Sequence, residues 1–248
     1  MDAKKNRHFE RILGKTVVTV VLIICGISCL LPLAWMISTS FKPELDVFEY
    51  PIRWIPKRWN FNTYKTVFTD DLFPIYFLNS AKVTFFSVVG NVFFSALAGY
   101  AFARLRFKGR NVLFIIYLAT MMVPNQVLLV PKYLLFQTLH MSNTHYALIL
   151  PAMFEVFSVF LMRQAFLAIP KELEEAALME GCRWWQVLFR VLLPMSWPSV
   201  LAFATASITY HWNEYLWPLM MLNDPDKQVL TVGLVSFAMG AESGGQWG

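Results

Sequence analysis

The chain reads as an all-α polytopic membrane protein, on three observations. It is 57% hydrophobic and only 15% charged over 248 residues, where soluble domains carry about 25% charged residues. Its 22 Phe and 9 Trp exceed what one soluble core of this size would hide. The charges cluster, and between them lie apolar runs near the roughly 20 residues needed to cross the hydrocarbon core. The net charge of +5 does not point to nucleic acid, because no basic stripe with interleaved aromatics is present. In a polytopic chain, surplus Lys and Arg mark cytoplasmic loops.

Taken in order, residues 1–15 form a basic segment with Lys4, Lys5, Arg7, Arg11 and Lys15. Span 1 (16–38) is too long for a removed signal peptide and lacks a small-residue cleavage site. Its Cys25 and Cys29 sit one helical turn apart and are expected to pack as small hydrophobes. A long loop of mixed charge follows (39–78). Span 2 (79–103) carries Gly90, Ser95, Ala98 and Gly99 at spacings suited to close helix packing. The short loop 104–111 holds Arg104, Arg106, Lys108 and Arg110. Spans 3 (112–131), 4 (145–166) and 5 (191–212) are separated by the loops 132–144 and 167–190, with Pro124, Pro151 and Pro198 inside spans or at their edges. Residues 213–248 form a last loop and a possible start of a sixth span, since the run 229–240 is too short to cross. The basic loops put the N-terminus and 167–190 in the cytosol. Trp54, Trp59, Trp212 and Trp217 suit the opposite interface.

The polar segment between spans 4 and 5 is the most informative. Residues 170–180, PKELEEAALME, are expected to form a helix started at Pro170, with Glu172, Glu174 and Glu175 at its positive end. Leu173, Ala176 and Ala177 would share a face. Gly181 can take the left-handed conformation that ends the helix, and a second helix would return to Pro194. Interfacial helices that rest on lipid are usually basic. This one is acidic at its tip and calls for a protein partner.

Glu175-Ala176-Ala177, Gly181 and Val191-Leu192-Leu193-Pro194 resemble the E-A-A-x3-G-x9-I-x-L-P signature of binding-protein-dependent ABC transporter permeases, with Val191 replacing Ile. The stretches SFKPELDVFEYP, YFLNSAKVT, FARLRFKGR, FLMRQAFLAIPKELEEAA and WNEYLWPL are similar to the carbohydrate subclass of the maltose type. The resemblance implies the type I ABC importer transmembrane fold in a bacterial or archaeal inner membrane, with five spans visible and the family's sixth expected beyond the residues given. It further implies import of a sugar or oligosaccharide, a second homologous permease, two ATP-binding subunits and an extracytoplasmic solute-binding protein. The chain has no Walker A loop, so ATP and Mg would be bound by the partner ATPase. Glu174, Glu175, Ala176, Ala177, Glu180, Gly181 and Pro194 would then make the ATPase-coupling contact.

Among intramembrane groups, Glu155 stands alone. Two readings stand: a carboxylate paired with a basic or amide group of a neighbouring helix, or a pathway residue meeting substrate. Asn125, Gln126, Ser158, Thr205, Ser207, Thr209 and Asn213 are further pathway candidates, or else helix–helix contacts. The alternatives are a permease of the same ABC class for a non-sugar solute and an ion-coupled carrier using Glu155. His8, His140, His145, His211 and Cys182 show no catalytic or metal-ligand spacing.

Overall fold

The computed structural model describes residues 2–47, 49–69 and 72–242. These divide into two compact units, Met1–Asp70 with Ala241–Gly248, and Asp71–Gly240.

The first unit opens with α1 (Asp2–Ser40), exposed along its apolar stretch from Gly14. Cys25 and Cys29, expected to pack as small hydrophobes, are free and lie exposed on this apolar stretch. Short helices α2 (Glu44–Val47) and α3 (Asn62–Thr69) follow. An aromatic knot centred on Phe41, just before α2, ties this segment to the start of α3. Phe41 lies 5.5 Å from Trp59, 5.4 Å from Phe61 and 5.2 Å from Tyr64, centroid to centroid. Lys42, only 5% exposed, donates from Nζ to the Arg53 carbonyl at 2.6 Å and lies 4.2 Å from the Trp35 ring centroid. An ammonium so buried needs both partners.

The second unit is built on α4 (Phe73–Ala103), against which α7 (Tyr146–Ala152), α8 (Val156–Ala168) and α12 (Trp197–Asn213) pack. Pro74 sits in its first turn, where a missing N–H costs nothing. Beside Tyr76, Val83, Val88 and Tyr100, the buried face carries a run of small or polar residues: Ser80, Thr84, Ser87, Gly90, Asn91, Ser95 and Gly99. The expected small-residue stripe is therefore real, with Ala98 at its margin. At Gly99 an added Cβ would stand 2.7 Å from Met162 Cβ and 3.0 Å from the Arg163 backbone nitrogen. Here α4 and α8 approach backbone to backbone, which side chains beyond hydrogen would forbid.

The other runs are broken by proline. Helix α5 (Arg110–Ala119) and a 3-10 turn to Met122 stop at Pro124, and α6 (Asn125–Thr138) leaves at 100°. After α8 come α9 (Lys171–Met179) and α10 (Trp184–Val187), then a π-helical turn, Leu188–Leu192, and α11 (Leu193–Met195). Pro194 cannot donate to the carbonyl four residues back, and the widened turn accommodates this. Helix α12 turns away by 79°, and α13 (Leu216–Met221) and α14 (Leu230–Glu242) complete the unit. Three helices among the described residues are long and apolar enough to cross a membrane, or five if each bent pair is one span. Trp217 is not interfacial: it is 2% exposed and its indole N–H donates to the Ala147 carbonyl at 3.0 Å.

Candidate coupling surface and translocation cavity

Helix α9 begins after Pro170 in extended conformation and carries Glu172 and Glu174 in its first turn. It ends in a Schellman motif. The Cys182 N–H bonds the Ala177 carbonyl and the Gly181 N–H the Leu178 carbonyl, both at 3.0 Å, with Gly181 at φ +87°. The accompanying apolar contact joins Cys182 to the cluster that holds Ala177.

One guanidinium seats this helix. Arg104, at the C-terminal end of α4, donates from Nη2 to the carbonyls of Phe166 at 2.7 Å and Ile169 at 2.6 Å. It thereby caps the end of α8, where a cation is favoured. Its Nε lies 3.2 Å from Glu174 Oε2, and the Tyr100 hydroxyl donates to Glu174 Oε1 at 3.2 Å. Arg104 thus joins α4, α8 and α9, and Tyr100 stacks on Trp184 beyond the cap.

This changes the expected roles. Glu174 faces its own chain, as does the buried Ala177. Leu173 and Ala176, expected on the same face as Ala177, are exposed with Glu175, Glu180, Gly181 and Pro194. The inward face is set by the i, i+3 pair Glu174 and Ala177, with Glu174 held by Arg104 and Tyr100. What faces outward is apolar as well as acidic: Met179 is 89% exposed, and Leu178, Trp184 and Trp185 are exposed beside it. A Cβ on Gly181 would meet nothing of this chain.

The second feature is a cavity of about 500 Å³ bounded by parts of α6, α8, α12 and the breaks between helices. Glu155 lies at the break between α7 and α8, in extended conformation. Asn91 Nδ2 donates to its Oε2 at 2.8 Å and Ser158 Oγ at 3.0 Å, while Asn91 also reaches the Ala152 carbonyl at 3.2 Å. Ser95 donates to Asn91 Oδ1 at 3.0 Å. The amide-partner reading of Glu155 is therefore met, and Glu155 lines the cavity as well. Both donors serve Oε2; Oε1 has no hydrogen bond among the described residues.

Asn125 lines the same cavity, with Thr120, Lys132, Tyr210, His211, Glu214 and Trp217. The Lys132 ammonium lies 4.0 Å over the Trp217 ring, and His211 Nδ1 stands 3.8 Å from Glu214 Oε2. Gln126 is exposed outside the lining. Ser158 and Ser207 are buried in helix packing. Thr205, Thr209 and Asn213 donate to the carbonyls of Leu201, Thr205 and Thr209 along one exposed stripe of α12, apart from the cavity. Sequence reasoning missed Asn91 and Arg104 as organisers. The rule that singled out Glu155, a polar group inside an apolar run, applies equally to Asn91; nothing local distinguishes Arg104 from Arg106. Carboxylates, an amide and aromatic faces around one cavity suit a polyhydroxylated solute, which offers both hydroxyls and apolar ring faces.

Residues 91–244 match the family model described as the binding-protein-dependent transport system inner membrane component. The chain is similar to the probable ABC transporter permease protein YurM of Bacillus subtilis, 36% identical over 96% of this chain and 79% of that one. It is also similar to the arabinooligosaccharides transport system permease protein AraQ of Halalkalibacterium halodurans, 36% identical over 83% of this chain and 75% of that one. Among solved structures, a bacterial ABC transporter involved in the import of the acidic polysaccharide alginate matches with a TM-score of 0.84 and 27% identity, covering 95% of this chain and 86% of that one.

Proposed function

The chain belongs to the binding-protein-dependent transport system inner membrane component family, and from that premise we propose that it forms half of the translocation path of an ATP-driven importer for a sugar or oligosaccharide. The relatives named for arabinooligosaccharides, diacetylchitobiose and lactose support the solute class. A second, homologous permease completes the path, two ATPase subunits bind ATP and Mg, and a solute-binding protein delivers cargo from outside. The N-terminus and α9 face the cytosol. The chain itself performs no chemistry.

The observation that carries the reading is the outward edge of α9. An apolar and acidic surface, held rigid by a Schellman cap and by Arg104, is built to seat in a partner. When the ATPases close, α9 moves with them, and Arg104 passes that displacement to α4, which carries Asn91, and to α8, which Glu155 precedes. The test is co-expression with the neighbouring transporter genes and reconstitution of the purified assembly in vesicles. Binding protein loaded with an oligosaccharide should raise ATP hydrolysis several-fold and drive its uptake. Purification without an ATPase, together with uptake driven by an ion gradient, would reject this reading for a secondary carrier. ATPase stimulation only by a non-sugar ligand would retain the transporter and reject the sugar.

A further inference from the structure

A second cavity, of about 840 Å³, reaches the first residue of α9, and it is basic. Arg104, Arg106, Lys108, Arg110 and Lys171 line it, and no Asp or Glu does. Arg104 is committed to Glu174 and two carbonyls. Arg110 reaches the Leu105 carbonyl at 3.0 Å. Arg106, Lys108 and Lys171 have no ion pair or side-chain hydrogen bond among the described residues. Three ammonium or guanidinium groups therefore line one cavity without a counter-charge among its walls. The same cavity is rimmed by exposed apolar side chains: Phe107 at 43%, Val112 at 62% and Leu167 at 42% exposed. It opens where α4 ends and α5 begins, both helices of predominantly apolar surface.

We propose that this cradle binds the headgroup of an anionic phospholipid, with the cations holding the phosphate and Phe107, Val112 and Leu167 meeting the acyl chains. A free phosphate would use the cations and leave the apolar rim without a purpose. A lipid uses both, as basic pockets between helices at a membrane surface do. Lys171 is the first residue of α9, so the headgroup ties the loop 104–110 to the start of the coupling helix. The inference rests on the cytosolic placement of α9 proposed above.

The test uses the assembled transporter in detergent micelles doped with phosphatidylglycerol or phosphatidylcholine, with bound lipid counted by native mass spectrometry. Each removed cation should weaken phosphatidylglycerol binding about fivefold, and Arg106→Gln with Lys108→Gln together about 30-fold. Lys171→Gln gives a separate arm on a different element, with about a fivefold loss expected. Equal retention of phosphatidylcholine, or unchanged phosphatidylglycerol retention in both variants, overturns the proposal. Displacement of the lipid by an equal concentration of inorganic phosphate also overturns it, in favour of a free-anion site. Binding-protein-stimulated ATPase of the unmodified assembly is read in the same preparation. Its absence beside selective phosphatidylglycerol retention would count against the transport reading while supporting the lipid site.

Discussion

Arg104 is worth more than its place in a basic loop suggests. Its side chain in the ion pair is 3% exposed and that of Glu174 14%, so removing one partner leaves a buried charge alone. Such breaks cost about 3–5 kcal/mol. Arg104→Ala should lower the thermal stability of the purified assembly accordingly, and binding-protein-stimulated ATPase should fall more than basal ATPase. Arg104→Lys keeps the charge but cannot reach two carbonyls and a carboxylate at once; it should recover stability more than coupling. Equal loss of basal and stimulated hydrolysis would make Arg104 merely structural. Glu155 separates two roles in a similar way. Glu155→Gln can still accept from Asn91 and Ser158 through its oxygen, so the fold should hold. Glu155→Ala leaves the Asn91 amide short of an acceptor and should destabilise by about 1–3 kcal/mol. Uptake equal to wild type in Glu155→Gln would remove the carboxylate from the transport path. At the other end of the unit, Asp224 is held below the usual carboxylate range by hydrogen bonds from Lys227 and then Asn143, with the Lys227 charge acting in the same direction. A depressed carboxylate contributes stability above its unfolded value, near 3.9, and that stability is lost as pH falls through the folded value. The turn 222–228 should therefore keep its hydrogen-exchange protection at pH 5 and above, and lose it only below about pH 4. Opening already between pH 6 and 7 would point to another group.

Among the elements, α4 and α9 carry the arrangement. The closeness of α4 to α8 at Gly99 means that Gly99→Leu must push the helices apart, because the obstructing atoms include the α8 backbone. Overpacking of this kind costs about 1–3 kcal/mol, and lowered thermal stability together with reduced membrane insertion is the expected reading. Gly181 presents the opposite case. Space around it is open within this chain, yet its φ of +87° costs an ordinary L residue about 1–2 kcal/mol. Gly181→Asn should restore most of the stability that Gly181→Ala loses, since Asn tolerates that region. If Gly181→Asn still uncouples ATP hydrolysis from uptake, the obstruction belongs to the partner surface. Normal coupling in Gly181→Asn would reduce Gly181 to a helix cap.

For the molecule as a whole, the apolar runs, the basic loops and the signature from Glu175 to Pro194 were enough to specify a helical membrane protein of this transporter family. These are local properties, of composition and of spacing along the chain, and a linear string carries them. Gly181 ended its helix as expected because a positive φ is a property of one residue. The bends next to Pro124 and Pro198 were readable as breaks but not as angles of 100° and 79°. Which of five cations in the second unit's basic cavity caps α8, which face of α9 turns inward, and which carboxylate oxygen is left open at Glu155 were settled only in three dimensions. Each depends on partners tens of residues away: Arg104 on Phe166, Ile169 and Glu174, and Glu155 on Asn91. The sequence alone determined what kind of chain this is and where the joint proposed for coupling lies. Tertiary packing decided what the joint is fastened to, because burial makes a polar group find a partner without regard to its distance along the chain.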